Sequence, residues 1–246
     1  KKPYALTKEE EDIMERLERA FENCEKLQRH MHFLLNKGGL YKVYNGNLLY
    51  HGCVPLKEDG NLKSVRIFGR AYKGKGLYEV LESYVRKGFY AMDPKEKERG
   101  KDIMWYIWLS ENSPLFGKDK MATFERYFLA EKETHKEKKN PYYLLLEDEK
   151  VVGKILKEFG LENEDAHIIN GHVPVKCKDG ENPVKCGGKV LVIDGGFSKA
   201  YQKETGIAGY TLIYNSYGLI LAAHKPFEST EAAIEKESDI HSDSTV

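Results

Sequence analysis

The chain has 246 residues, 41% hydrophobic and 32% charged, and its 39 basic residues are matched by 39 acidic ones. That balance excludes a general attraction to nucleic acid or to an anionic membrane surface, and no apolar run approaches the ~20 residues of a membrane helix. Four cysteines with no CxxC pair exclude a disulfide framework and point to reduced thiols in a cytoplasmic setting. The sequence opens Lys1-Lys2-Pro3 without Met, and it is read as a fragment.

Thr7-Lys8-Glu9-Glu10 has the capping-box pattern that starts a helix. Behind it Ile13, Leu17, Phe21, Cys24, Gln28, Met31 and Leu35 recur at helical spacing. One long core-packing helix is therefore expected, closed by Lys37-Gly38-Gly39 through a left-handed cap. Asn45-Gly46, between Leu40–Tyr44 and Asn47–His51, is a strong hairpin signal. A second hairpin is expected to turn at Glu58-Asp59-Gly60-Asn61 and to continue through Val65–Phe68. Gly74-Lys75-Gly76 reads as a turn. Helices are expected over Leu77–Phe89 and Glu96–Ser110, the latter with Trp105 and Trp108 in the core. Glu131–Lys139 is a mixed-charge, solvated stretch, and Asp148–Phe159 is a short helix stopped by Gly160.

Strand signals then dominate. His167-Ile168-Ile169 leads into Asn170-Gly171-His172, and Lys189–Ile193 is an apolar run typical of a buried strand. Tyr210–Tyr214 and Leu219–Ala222 flank a hairpin turn at Asn215–Gly218. The pattern predicts an α/β (mixed α+β) layout without a separating linker. Residues 1–226 form one portion of a domain, and 227–246 form a helix followed by a disordered tail.

Two segments share a design suited to metal chemistry. In Leu48–Cys53 and in Ile168–Pro174 an apolar strand ends by presenting a histidine, His51 or His172, beside a glycine. A neutral imidazole is a good ligand for Mn, Fe or Zn, and a strand end holds it rigidly. The alternative for each is a structural hydrogen bond, and only the fold can bring the two together.

Asn45–Cys53 (NGNLLYHGC) and Asn170–Val175 (NGHVPV) resemble the second-histidine and Gly-His segments of the calcineurin-like metallophosphoesterases. Phe124–Phe128 (FERYF), Lys132–Tyr143 (KETHKEKKNPYY), Val192–Tyr201 (VIDGGFSKAY) and Thr205–Gly218 (TGIAGYTLIYNSYG) resemble one branch, the class III or Firmicutes-type fructose-1,6-bisphosphatases. The resemblance implies part of a sandwich of two mixed sheets flanked by helices. It implies a cytoplasmic enzyme of gluconeogenesis that hydrolyses fructose 1,6-bisphosphate with two Mn²⁺ ions. It assigns His51 and His172 to the second metal. The Asp-x-His, Gly-Asp-x-x-Asp-Arg-Gly and Gly-Asn-His segments, which supply the remaining ligands, are expected in a missing N-terminal portion. The isolated chain is thus expected to be inactive and to associate with that portion and with further copies of itself.

Asp194, at the end of the Val190–Ile193 run, is expected to orient a ligand histidine, or else to form a turn with Gly195-Gly196. Lys199 and Tyr201, just beyond, and Arg126, in a basic cluster with Lys132, His135, Lys136 and Lys138, are candidates for a substrate phosphate. Cys53 reads as a small buried thiol. Two other readings stand beside the phosphatase: a non-catalytic interaction module, and a related metallophosphatase acting on nucleotides or phosphoproteins.

Overall fold

The computed structural model describes residues 4–194, 197–224, 228–237 and 241–245, in two units, Lys1–Gly39 and Leu40–Val246. The first unit is a pair of helices, α1 (Lys8–Glu22) and α2 (Glu25–Lys37). Thr7 and Glu10 form the expected capping box. The single long helix is not formed, because Asn23 Nδ2 donates to the Arg19 carbonyl at 2.8 Å and Cys24 turns extended (φ −78°, ψ 97°). An asparagine side chain that competes for a helix carbonyl ends the helix there. The expected core-packing stripe is also corrected: no residue of α1 is buried, and a unit this short holds too little apolar surface for a core of its own. Gly38 does not take the expected left-handed cap, having φ −87°. A Cβ there would lie 2.6 Å from the Leu34 carbonyl oxygen, so the glycine serves space rather than handedness.

The second unit begins with β1 (Tyr41–Tyr44) and β2 (Asn47–Tyr50), joined as expected by Asn45 and Gly46 at φ 48° and 76°, the positive pair that a type I′ turn requires. At Glu58–Asn61 the chain does turn, but it closes only one bridge, Leu56 to Leu62. The hairpin proper is β3 (Val65–Ile67) with β4 (Arg70–Tyr72). Gly74-Lys75-Gly76 is the first turn of α3 (Gly74–Tyr90), not a free turn, and α4 (Pro94–Leu109) packs back on it. The two helices meet glycine to glycine: a Cβ on Gly100 would lie 2.2 Å from the Gly88 Cα. Gly100, Ile103 and Ile107 form the buried stripe of α4. Trp105 and Trp108 fall off that stripe and are 60% and 58% exposed, which corrects their expected core position.

Helices α5 (Thr123–Phe128) and α6 (Glu149–Glu158) follow, then β5 (Ile168–Asn170), β6 (Val184–Lys185) and β7 (Val190–Val192). Asp148 caps α6 through the Lys150 and Val151 amides. The five-stranded sheet has the order β1-β2-β5-β7-β6. Its three central strands run parallel, with Leu48 opposite Ile168 and Ile168 opposite Val190, and antiparallel strands flank them. Leu48, Ile168 and Val190 are fully buried with Tyr78, Tyr142 and Ile155 in the main core.

A second sheet holds β8 (Gly209–Asn215), β9 (Gly218–His224) and β10 (His241–Thr245), reached through α7 (Lys199–Thr205) and α8 (Thr230–Glu235). Leu219 packs on Ile169 and Leu191 of the first sheet, so the mixed α+β class holds. The first sheet is mixed, while the second is antiparallel among its described strands. The expected helix-and-tail segment 227–246 begins at a residue outside the described ones. Its described part contains α8 and then a strand, where a disordered tail was expected. Strand addition uses backbone hydrogen bonds, so a polar segment can supply it without an apolar pattern.

Candidate metal centre

Topology brings the two histidines together. Because β2 and β5 are parallel neighbours, the residues leaving their carboxyl ends emerge at the same edge. Crevices at such strand ends are where open α/β sheets bind ligands. The register continues one step past the strands: the Gly171 amide donates to the His51 carbonyl at 2.9 Å. His51 Nε2 and His172 Nδ1 then lie 3.0 Å apart, 121 residues distant in sequence. Metal–nitrogen bonds of about 2.1 Å meeting at a right angle span about 3 Å, so the pair can occupy adjacent positions around one ion.

The electrostatics favour ligating rings. Burial lowers His51, with Asp194 opposing it. Burial, then His51 and Lys118, lower His172 to about 4, against the Phe116 backbone and Asp194. Both rings are thus neutral near pH 7, the form that coordinates a cation. His172 holds φ 66°, an uncommon backbone for a non-glycine residue and one that clusters at functional sites. Its Nε2 is buried without a hydrogen-bond partner, and so is Asn170 Oδ1 on the adjoining strand end. Buried orphans are rare in folded proteins, and here two sit within three residues. Among the described residues no group of three or more His, Cys, Asp and Glu converges as a ligand set. The fit is therefore that of a half-site: two imidazoles from this chain, with further donors required from elsewhere.

Asp194 leaves the third parallel strand, β7, at the same edge. Its side chain lies over Gly171, where an added Cβ would come 3.3 Å from the Asp194 Cβ. It acts electrostatically on both rings. Gly195-Gly196, the glycine pair of the alternative turn reading, lies outside the described residues. Lys199 and Tyr201 stand exposed on α7, which packs against the Cys177–Asp179 turn.

Arg126 donates to Glu137 at 3.3 Å, and Lys136 and Lys138 pair with Glu133 and Glu58. Three of the five basic side chains of the cluster thus face a carboxylate, Lys136 and Lys138 in exposed pairs. Asp165-Ala-His167 carries the Asp-x-His spacing expected only outside this chain, and Asp239-Ile240-His241 repeats it across undescribed residues. His167 precedes β5, at the end opposite His172, and its Nδ1 bonds Asn47 Oδ1 at 3.0 Å. It stays outside the centre.

The supporting loop was not visible in the sequence. Cys53 donates its amide to the Pro114 carbonyl at 2.9 Å, and the Phe116 ring lies 6.3 Å from His172. The Cys53 thiol is fully buried and burial pushes it up to about 12, so it is the inert thiol expected. Lys118 carries the loop's charge toward His172 and pairs with Glu137 at 3.1 Å. Burial alone would raise Glu137, but the Ala122 amide, Lys118 and Arg126 outweigh it and hold its carboxyl below the usual range. A depressed carboxyl stabilises the fold above its unfolded pKa of about 4.3 and loses that contribution as pH falls through its folded value. Glu137→Gln is therefore expected to unfold earlier than the wild type in urea at pH 7. The gap between the two midpoints should shrink as pH falls below about 4.3 and close below the folded value; a gap of unchanged size at pH 3 would show that packing, not charge, holds the residue.

The family model of Firmicute fructose-1,6-bisphosphatase matches residues 1–246. The fructose-1,6-bisphosphatase class 3 of Clostridioides difficile strain 630 is 58% identical over 247 residues, covering 100% of this chain and 37% of that relative. Those of Clostridium botulinum strains Hall and Kyoto are 57% identical over 245 residues, with 99% of this chain and 37% of the relative covered. This chain belongs to the Firmicute fructose-1,6-bisphosphatase family. It spans a little over a third of the length of these curated relatives. No solved structure matches it.

Proposed function

We propose that this chain is the C-terminal portion of a phosphoric monoester hydrolase that converts fructose 1,6-bisphosphate to fructose 6-phosphate, with His51 and His172 as two ligands of a two-manganese centre. The observation that carries the reading is the pair of neutral imidazoles 3.0 Å apart at a parallel strand edge, in a chain of this family. Metals held there supply activation of water and neutralisation of the phosphoryl oxygens. The chain's own part is to fix two nitrogen donors, to keep them unprotonated, and to set Asp194 where it favours a positive charge.

Neither a Gly-Asp-x-x-Asp-Arg-Gly nor a Gly-Asn-His segment occurs in the sequence. The other ligands therefore come from the part of the protein that the longer relatives carry. Association with that part, and between copies, would cover apolar surface such as Phe124, Tyr127 and Phe128, which are 73–79% exposed. Four free cysteines suit a reducing cytoplasm and a place in gluconeogenesis. Among the described residues no helix is long and apolar enough to cross a membrane.

Phosphate release from fructose 1,6-bisphosphate with added Mn²⁺ tests the proposal. The intact protein is expected to be active and this chain alone inactive. Inactivity of the intact protein, or full activity of the chain alone, would overturn it.

A further inference from the structure

A cavity of about 290 Å³ opens between the Leu56–Leu62 turn and the segment that follows Glu137, near the lower end of the size range of small-ligand sites. Its back wall is well built. The Asn140 amide donates to the Gly117 carbonyl and the Asp119 amide to the Lys138 carbonyl, both at 2.9 Å. Asn140 is 6% exposed. Its Oδ1 is consumed by the Leu56 and Tyr142 amides at 3.1 and 3.0 Å, which leaves its NH₂ as the group it can offer the cavity.

Lys57, Lys63, Lys138 and Lys139 all line this space, beside Glu58, Glu111 and Asp119, so the lining has four basic side chains against three acidic ones. Two of the lysines have weak partners: Lys63 reaches Glu111 at 3.6 Å and Lys138 reaches Glu58 at 3.8 Å, in exposed pairs of a kind that contributes little and exchanges readily. Lys139 makes no ion pair among the described residues. Partial burial and then Lys118 hold its ammonium below the ordinary lysine value; Lys176 acts the same way, with Glu181 and Glu137 only partly offsetting them. None of these charged neighbours lines the cavity; Lys57 and Lys139 are its two lysines with no ion pair among the described residues, and an anion in the cavity can supply one.

We propose that this cavity is a binding site for a phosphate monoester, held by Lys57, Lys138 and Lys139 with the Asn140 amide as a neutral donor. The residues charged with this binding are separate from the histidine pair, and the proposal stands whichever reaction that pair serves. The site is nonetheless close to it, since Lys118 bridges to Lys139 in the backbone ladder and acts on His172. The phosphate can therefore be the remote group of a doubly phosphorylated substrate or belong to a separate phosphorylated ligand.

Calorimetric titration of inorganic phosphate into the intact protein, stripped of divalent metal, tests it. Saturable binding is expected, weakened at least tenfold by Lys139→Met and by Lys57→Met and unchanged by Lys97→Met on exposed α4. All three lysine sites are exposed, and the thermal midpoint verifies that each variant folds. Absence of saturable binding, or binding indifferent to both cavity substitutions, would overturn the proposal. With Mn²⁺ restored, a tenfold rise in KM for fructose 1,6-bisphosphate in Lys139→Met assigns the cavity to the substrate's remote phosphate. An unchanged KM alongside lost phosphate binding assigns it to a separate ligand.

Discussion

His172→Ala is expected to lower kcat/KM of the intact enzyme at least ~100-fold, because even residues that merely support a metal ligand cost 10–100-fold when changed. The same substitution should leave the stability of the metal-free protein nearly untouched. It removes the hydrogen bond between Nδ1 and His51 Nε2, worth about 1 kcal/mol net. It also removes Nε2, which is buried without a well-formed hydrogen bond although the Phe116 backbone acts on the ring, and whose desolvation costs about 1–3 kcal/mol. The two effects oppose each other and the second is at least as large. The backbone strain at φ 66° stays, since alanine does not relieve it. His172→Gly does, because glycine takes positive φ freely, and it should be at least as stable as the alanine variant. Urea unfolding with a chelator and Mn²⁺-dependent phosphate release separate the outcomes. A collapse of stability would make the histidine a structural residue, and retained activity would remove it from the metal centre.

The half-site was legible in its parts and illegible in its assembly. Local sequence marks each strand end clearly: Leu48–Tyr50 and Ile168-Ile169 are apolar, and each run ends in a Gly-His or His-Gly pair. What the local pattern lacks is the pairing of β2 with β5, a contact between segments about 120 residues apart. The resemblance to a known family supplied that step. Lys118 and Phe116 gave no signal, because they reach His172 from a loop without periodicity.

Elsewhere the reading failed where a single residue outweighs a pattern. An apolar stripe interrupted only by Gln28 ran past Asn23, whose side-chain amide ended the helix. Trp105 and Trp108 kept helical spacing with each other, but the glycine contact between α3 and α4 turned a different stripe inward. Strand β10 has no alternation to read, and its pairing depends on the open edge of β9.

Gly52→Ala is expected to damage both the fold and the centre. An added Cβ would lie 2.4 Å from the Pro114 carbonyl oxygen and 3.3 Å from the Leu115 backbone, so backbone, not a flexible side chain, must move. That backbone has little room. The Pro114 carbonyl is held by the Cys53 amide at 2.9 Å, Gly52 itself accepts from Asn170 Nδ2 at 3.0 Å, and Gly117 packs against the Cys53 sulfur. Overpacking of this kind costs about 1–3 kcal/mol.

The segment that must yield carries His51 on one side and Phe116 and Lys118 on the other. Separation of the two therefore alters the 3.0 Å imidazole pair, and a misplacement of about 1 Å costs on the order of 100-fold in rate. Gly171→Ala is the control, because its Cβ would meet only the Asp194 side chain at 3.3 Å and the His51 carbonyl oxygen at 3.7 Å. The Asp194 Cβ moves only with its backbone, but a contact at 3.3 Å asks for a few tenths of an ångström where the 2.4 Å contact of Gly52 asks for far more, so the loss of stability should be smaller. Thermal midpoints and Mn²⁺ affinity measured for both variants decide the matter. If Gly52→Ala matches the wild type in both, the 113–118 loop is free to withdraw, and the rigidity that holds the two imidazoles together resides in the sheet alone.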